Sequence, residues 1–372
     1  MTGAREISRV SLVSPYALSV YGGVQEQVLS MSRELARRGV LVQIVAPDER
    51  DRSRYDTPAR VERLGRLVRV PANGSRAPLT LSPGAAREAT ARIARFDPQV
   101  VHFHEPFAPR VGWRTLRQHR AAAVGTFHRS GGGPAVSLAA PLLRRWVRHL
   151  DVCVAVSPEA AATAHASCGA RTTVLFNGFE TARFVEFARE RQAVPTLVVV
   201  GRLEERKGVA TAIAALRAHN DRGVGSWRLV VIGDGPQRSS LETAAGPGAD
   251  VVFLGAVADA EKRRWYRRAD LVVAPATRGE SFGLILLEAM ASETPVVASD
   301  IPGYRDAAGQ YAELFTPGDP VSLEGAITRV LDTPRWDPAP AREHAENWSM
   351  ARLVDEYLDV YQGARQHFGA LG

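Results

Sequence analysis

Leu197-Val198-Val199-Val200-Gly201-Arg202-Leu203-Glu204-Glu205-Arg206-Lys207-Gly208 decides the fold of this chain. An apolar run that does not alternate with polar residues predicts a strand buried on both faces, as in a parallel sheet covered by helices. The run stops at Gly201, and a helical pattern, Val209–Leu216, resumes after one short loop. Strand, glycine loop and helix in that order form the repeating unit of a doubly wound α/β fold. Arg202 and Lys207 leave the strand's carboxyl end, where the arginine offers a planar fork and the lysine a point charge to a diphosphate. A solvated turn is the alternative reading of the same charges.

The pattern repeats in both directions. Downstream lie apolar runs at Leu229–Ile232, Val251–Leu254, Leu271–Ala274 and Pro295–Ala298, with a helical stretch at Gly283–Ala291. Upstream, Val10–Ser14, Leu41–Ala46, Val100–Phe103, Ala121–Phe127 and Val152–Val156 read as strands, and Val24–Arg38 and Ala85–Phe96 as helices. With 372 residues the chain exceeds what one core usually supports, so two domains are expected. We place a first Rossmann-like domain at 1–178 and a second at 190–348, joined near Asn177–Pro195 by a segment, Phe184–Gln192, that reads as a helical linker. Leu353, Tyr357, Val360 and Tyr361 at helical spacing predict an amphipathic helix over about 349–372, expected to pack back on the first domain. Ligands of doubly wound sheets sit beyond the strands' carboxyl ends, so two such edges facing each other predict an interdomain cleft.

Apolar residues make up 45% and charged residues 23%, the balance of an ordinary globular chain. No apolar run approaches the roughly 20 residues that cross a bilayer, so a cytoplasmic protein is expected. The formal charge of +7 favours anionic partners. Only two of the 47 basic residues are lysines, Lys207 and Lys262, and a lysine kept against that bias suggests a need for a compact charge. Cys153 and Cys168 lack a CxxC partner and read as small core fillers.

Arg278-Gly279-Glu280-Ser281-Phe282-Gly283-Leu284-Ile285-Leu286-Leu287-Glu288 places two carboxylates eight residues apart. If the whole stretch were helical their backbones would stand about 12 Å apart, longer than the roughly 5–9.5 Å of a glycosidase pair. Free N–H groups at Gly279, Ser281, Phe282 and Gly283 and the positive end of a helix dipole suit a phosphate, so the segment reads as a ruler for a long anionic ligand. Gly22 and Gly23 open the first helix, where glycine permits close approach of a phosphate or serves a turn that needs positive φ. Gly233, in Ile232-Gly233-Asp234-Gly235, marks another strand end and reads first as a turn. His102 and His104 share a strand face but lack a third ligand at a recognisable spacing, so no metal is expected. His128 stands just past a strand, at the edge where substrates sit, and reads either as a group that meets substrate or as a structural histidine.

Taken together, Gly22-Gly23, Gly201-Arg202, Lys207-Gly208, Glu280 with Glu288 and Pro295-Val296-Val297-Ala298-Ser299-Asp300 resemble the retaining glycosyltransferases of family 4. Within that family, Tyr16, Gly22-Gly23-Val24-Gln25, His102-Phe103-His104-Glu105-Pro106 and Thr126-Phe127-His128 are similar to phosphatidylinositol mannosyltransferases. The resemblance implies a GT-B architecture of two Rossmann-like domains and a nucleotide-sugar donor, GDP-mannose favoured, with no metal cofactor. It implies a catalytic set of His128, Glu280, Arg202 and Lys207. Glu280 would meet the transferred sugar and Glu288 the ribose, while Gly22, Gly23, Gly233, Val257, Ser281, Phe282 and Gly283 complete the donor site. Tyr16, Gln25, Asn73, Ser75 and Arg76 would hold a lipid or polyol acceptor. The chain departs from that subfamily at Ala72, Pro78 and Phe107, with Arg76 as the cation nearest the altered site.

The implied activity is transfer of mannose to a phosphatidylinositol-type lipid by front-face attack; a UDP-sugar transferase for a soluble inositol phosphate is the alternative within the fold. From another class, basicity alone suggests a noncatalytic nucleotide or nucleic-acid-binding protein. Lys262-Arg263-Arg264-Trp265-Tyr266-Arg267-Arg268 interleaves cations and aromatics, yet its place in an amphipathic helix makes nucleic acid the weaker reading. Ala85–Phe96, with Arg87, Arg92 and Arg95, and Pro141–Leu150, with Arg144, Arg145 and Arg148, suit either an anionic membrane surface, the inner face of the plasma membrane, or plain solvent.

Overall fold

The computed structural model describes residues 7–371 except 20–21, 48–55, 65–66, 73–74, 81–83, 108–114, 118–119, 130–133, 191, 224, 249, 281 and 334–335, and gives the backbone alone at 67–72, 75–80, 134–138 and 371. The chain divides into two compact units, Met1–Phe179 with Met350–Gly372, and Glu180–Ser349.

In the first unit the strands are β1 (Arg9–Val13), β2 (Leu41–Ala46), β3 (Arg60–Arg63), the hairpin β4 (Leu67–Ala72) and β5 (Ser75–Thr80), β6 (Val100–His104), β7 (Ala122–Phe127), β8 (Val152–Ala155) and β9 (Thr172–Val174). All but the hairpin form one parallel sheet in the order β3-β2-β1-β6-β7-β8-β9. The order reverses between β1 and β6, which opens a crevice at their carboxyl ends. Helices α1 (Gly23–Arg37), α2 (Ala85–Phe96), α3 (Pro134–Trp146) and α4 (Pro158–Cys168) connect the strands. Local signals set α4: Ser157 caps it by accepting from Ala160 N at 3.1 Å, Pro158 fits the first turn, and Gly169 ends it in the left-handed conformation.

The second unit repeats the design with β10 (Thr196–Val200), β11 (Arg228–Ile232), β12 (Val251–Gly255), β13 (Leu271–Ala274), β14 (Val296–Ser299) and β15 (Glu313–Phe315). Its parallel order is β12-β11-β10-β13-β14-β15, reversing between β10 and β13. The helices are α5 (Val209–Asp221), α6 (Arg238–Ala245), α7 (Asp259–Arg268), α8 (Leu284–Ala291), α9 (Pro302–Ala308), α10 (Pro320–Leu331) and α11 (Pro338–Glu346). Leu197 and Val199 join the core cluster beneath α5 and α10, while Val198, on the opposite face, is also fully buried. Burial on both faces is what the unbroken apolar run of the opening stretch requires.

The last helix, α12 (Met350–Leu371), packs in the first unit's core, where Met350, Leu353, Val354, Tyr357 and Tyr361 join residues of β1, β2, β6 and β7. Met350 N donates to Phe179 O at 2.8 Å, and a Cβ at Gly178 would lie 3.1 Å from the Leu353 side chain.

Two expectations are corrected. The junction is not a helical linker: Thr181–Val185 makes only a 3-10 turn, and the following residues to 190 are irregular. The segment is held from outside instead. Arg263 donates to Arg183 O at 2.8 Å and pairs with Glu186; Arg267 donates to Phe187 O at 3.0 Å; Arg268 meets Glu190 at 2.8 Å; and Arg264 lies 4.7 Å above the Phe187 ring. Side chains of α7 thus supply the partners that a helix would have found within itself. These same contacts tie up Arg263, Arg267 and Arg268 of the run that suggested nucleic acid, while Arg264 stays exposed. The ruler is also not one helix, because Gly283 adopts the left-handed conformation and α8 begins only at Leu284, leaving Glu280 in the preceding loop.

Candidate active site

In the second unit the loop leaving β10 interlocks through its backbone with those leaving β11 and β13. Gly201 N donates to Ile232 O at 2.9 Å, Leu203 N to Asp234 O at 3.0 Å, and Thr277 N to Arg206 O at 2.8 Å. A Cβ on Gly233 would lie 1.8 Å from Gly201 O, and one on Gly208 would lie 1.9 Å from Pro275 O. Gly208 also sits at φ +66°, so close approach and a left-handed backbone both demand glycine there. Gly233 therefore supports the Gly201 loop from below, the structural half of its expected role.

This scaffold brings Lys207 and Glu280 together. Lys207 Nζ lies 2.7 Å from Glu280 Oε1, and Arg206 Nη1 donates to the same oxygen at 2.8 Å. Arg206 is fixed by Gly279 O at 3.1 Å and Glu204 Oε2 at 3.0 Å. Arg202 reaches Glu204 at 3.2 Å and remains half exposed. A cavity of about 220 Å³ is lined by Gly201, Lys207, Glu280, Leu284, Ile285 and Tyr304, among others. Burial, and then the Glu280 charge, push the Tyr304 hydroxyl above its ordinary range. Its ring lies where a side chain at Gly283 would have to go, since a Cβ there would stand 2.7 Å from Tyr304 Cδ1. The amino terminus of α8 opens on this loop and adds partial positive charge.

Glu288 lies one turn into α8 from the cavity-lining Leu284 and Ile285. Lys262 Nζ is 2.9 Å from its Oε1, and Tyr266 Oη donates to its Oε2 at 2.8 Å. The chain's two lysines therefore serve the two glutamates of one stretch. The ring of Phe282 is buried against Trp348, with centroids 4.7 Å apart, which leaves its backbone N–H as the group it could offer a donor. Val257 occupies the loop between β12 and α7. Ser281 and Asn73 lie outside the described residues, and Ser75 and Arg76 are described in backbone only, within β5.

In the first unit the loop after β1 carries Tyr16 and ends at Gly22 and Gly23. Neither glycine adopts positive φ, so the turn reading does not explain them. A Cβ on Gly22 would meet Gln25 Oε1 at 2.6 Å, whereas one on Gly23 would meet open space. Gln25 is buried, and its amide donates weakly to Ala17 O at 3.4 Å, so it braces the loop. Tyr16, largely desolvated and near the Glu105 charge, has its hydroxyl pushed up to about 12.

His102 and His104 are buried as neutral groups, and His128 is half-buried beside them. His102 is hydrogen-bonded through Nδ1 to Tyr361 Oη at 2.8 Å and through Nε2 to Thr126 Oγ1 at 2.7 Å, and Thr126 also meets Tyr357 Oη at 2.8 Å. Both ring nitrogens are thereby occupied by protein. Burial lowers the His102 pKa to about 3 and that of His128 to about 4. His104 Nδ1 lies 3.0 Å from His128 Nε2, which couples the buried ring to the one at the strand end. Glu105, at φ +50°, accepts from His128 N at 2.6 Å, a strained backbone that fixes where His128 stands.

Sequence reasoning missed Arg206 and Tyr304, for which no motif gave a signal, and Tyr266, hidden inside the basic run. Lys262 had carried a signal in its rarity. On the candidate membrane helices, Arg92 is tied to Glu62 and Glu88, while Arg87, Arg95, Arg144, Arg145, Arg148 and Leu142 are exposed. Among the described residues no helix is long and apolar enough to cross a membrane.

Residues 194–333 match the family model described as Glycosyl transferases group 1, and residues 21–183 match Glycosyltransferase Family 4. A phosphatidyl-myo-inositol mannosyltransferase of Propionibacterium freudenreichii is 34% identical, with 97% of this chain and 96% of that protein aligned. A D-inositol 3-phosphate glycosyltransferase of Corynebacterium diphtheriae is 29% identical over 92% of this chain and 90% of its own length. Among solved structures, sucrose-phosphate synthase from Thermosynechococcus elongatus superimposes with a TM-score of 0.72 at 22% identity, covering 98% of this chain and 100% of the other, which establishes the GT-B fold.

Proposed function

The chain belongs to glycosyltransferase family 4, and from that premise we propose that it transfers mannose from GDP-mannose to a phosphatidylinositol-type lipid with retention of configuration. The observation that carries this reading is the likeness to a phosphatidyl-myo-inositol mannosyltransferase through the whole chain, the acceptor-side unit included. The donor's diphosphate is met by Arg202, Lys207 and the amino terminus of α8, which supply positive charge without a metal. Glu280, with one oxygen held by Lys207 and Arg206, keeps Oε2 for a sugar hydroxyl. As the bond from the sugar's anomeric carbon to the phosphate breaks, the acceptor oxygen bonds that carbon on the same face. The acceptor's proton passes to the departing phosphate oxygen. His128, neutral and fixed by Glu105, serves as a hydrogen-bonding partner beside the sugar rather than as a cation. Exposed Arg144, Arg145 and Arg148 fit an anionic membrane carrying such an acceptor.

The test offers a panel of nucleotide sugars to lipid and polar extracts and identifies products by mass spectrometry. A mannosylated inositol lipid formed from GDP-mannose is expected; consumption of donor only with a soluble acceptor sinks this reading. A second reading, UDP-sugar transfer to inositol phosphate, is supported by the D-inositol 3-phosphate glycosyltransferase likeness. Thermal shifts with GDP against UDP separate the two.

A further inference from the structure

Glu288 is held on both oxygens at once. Lys262 Nζ approaches Oε1 at 2.9 Å and Tyr266 Oη donates to Oε2 at 2.8 Å. Each carboxylate oxygen carries two acceptor sites, so the clamp uses one on each and leaves one on each. The groups that make it are themselves fixed. Tyr266 is fully buried, its carbonyl accepts from Thr294 Oγ1 at 2.8 Å, and its ring packs 5.9 Å from that of Phe184. The Lys262 side chain is 9% exposed and also meets Asp259 at 3.4 Å. A glutamate pinned this way cannot rotate to offer both lone pairs of one oxygen. Two remaining acceptor sites on adjacent oxygens match the spacing of two neighbouring hydroxyls on a ring.

We propose that Tyr266 is a positioning residue that, with Lys262, orients Glu288 to accept both hydroxyls of a cis-vicinal diol, the ribose of the nucleotide donor. This rests on the assignment of Glu288 to the ribose made above and adds a requirement: each hydroxyl is read separately, and the reading depends on the tyrosine. It also explains a buried phenol against a carboxylate, where a Leu or Met would pack without needing a partner. Hydrogen bonds to charged groups contribute enough that loss of one hydroxyl should weaken binding by roughly 10- to 100-fold.

The experiment measures binding of GDP and UDP, and of the 2′-deoxy and 3′-deoxy forms of whichever binds, by calorimetry to the wild-type protein, Tyr266→Phe, Glu288→Gln and the double variant. Phe keeps the ring and its packing, and a melting curve checks that each variant is folded. The expected result is that wild type discriminates against both deoxy forms roughly 10-fold or more, Tyr266→Phe discriminates less than about 3-fold, and the double variant binds no worse than Glu288→Gln. In turnover, Tyr266→Phe should raise the donor KM and leave the acceptor KM unchanged. Wild-type discrimination that persists in Tyr266→Phe would overturn the tyrosine's role and leave the ribose assignment standing. No discrimination by the wild type, or no nucleotide binding at all, would overturn both together.

Discussion

Mild acid should destabilise the first unit through histidines that it buries neutral. His102 and His104 are 0% and 1% exposed, and burial holds both below their ordinary pKa, His102 at about 3. A histidine whose folded pKa is depressed binds its proton only in the unfolded chain across the window below about 6.5, so stability is present above that pH and is lost as pH falls. Between pH 7 and pH 5 the His102 ring, at about 3 when folded and about 6.5 when unfolded, costs about 2 kcal/mol, and His104 adds in the same direction. Glu105, raised by burial, opposes this because its folded form takes up a proton more readily than the unfolded one. The His102 share is therefore read from a difference. Scanning calorimetry of wild type and His102→Gln at both pH values, with GDP added to mark the second unit's transition, should show about 2 kcal/mol less acid loss in the variant. An equal loss in both proteins, or an NMR titration of His102 near 6.5, would refute the reasoning.

Gly208→Ala must place a methyl 1.9 Å from Pro275 O at φ +66°, so the second unit's melting temperature should drop by 10 °C or more, on the order of several kcal/mol; a shift under about 2 °C rules the interlock out. Lys207→Ala should cut turnover by roughly 100-fold or more while the fold persists, because Arg206 still pairs with Glu280. Near wild-type rates for it or for Glu280→Ala would remove both from the catalytic set. Arg263→Ala removes the donor to Arg183 O and one partner of the half-exposed Glu186 and should cost about 1–2 kcal/mol in urea unfolding, with the preference between GDP and UDP unchanged.

The sequence by itself determined the strands and their burial, because an apolar run such as Leu197–Val200 has few other environments available to it. It also marked the loops that carry the candidate site, since glycine beside cations at a strand end is a local signal. The β4–β5 hairpin escaped it because Pro71 and Pro78 argue against strands. Partnership was decided only by the tertiary structure. Glu280 meets Lys207 and Glu288 meets Lys262 and Tyr266 across 73, 26 and 22 residues, and nothing in local spacing encodes such pairs. The two glutamates looked like marks on one helix; folding set Glu280 in a loop and Glu288 in the helix behind it. The break falls at Gly283, left-handed at φ +74° and with no room for a side chain beside the ring of Tyr304.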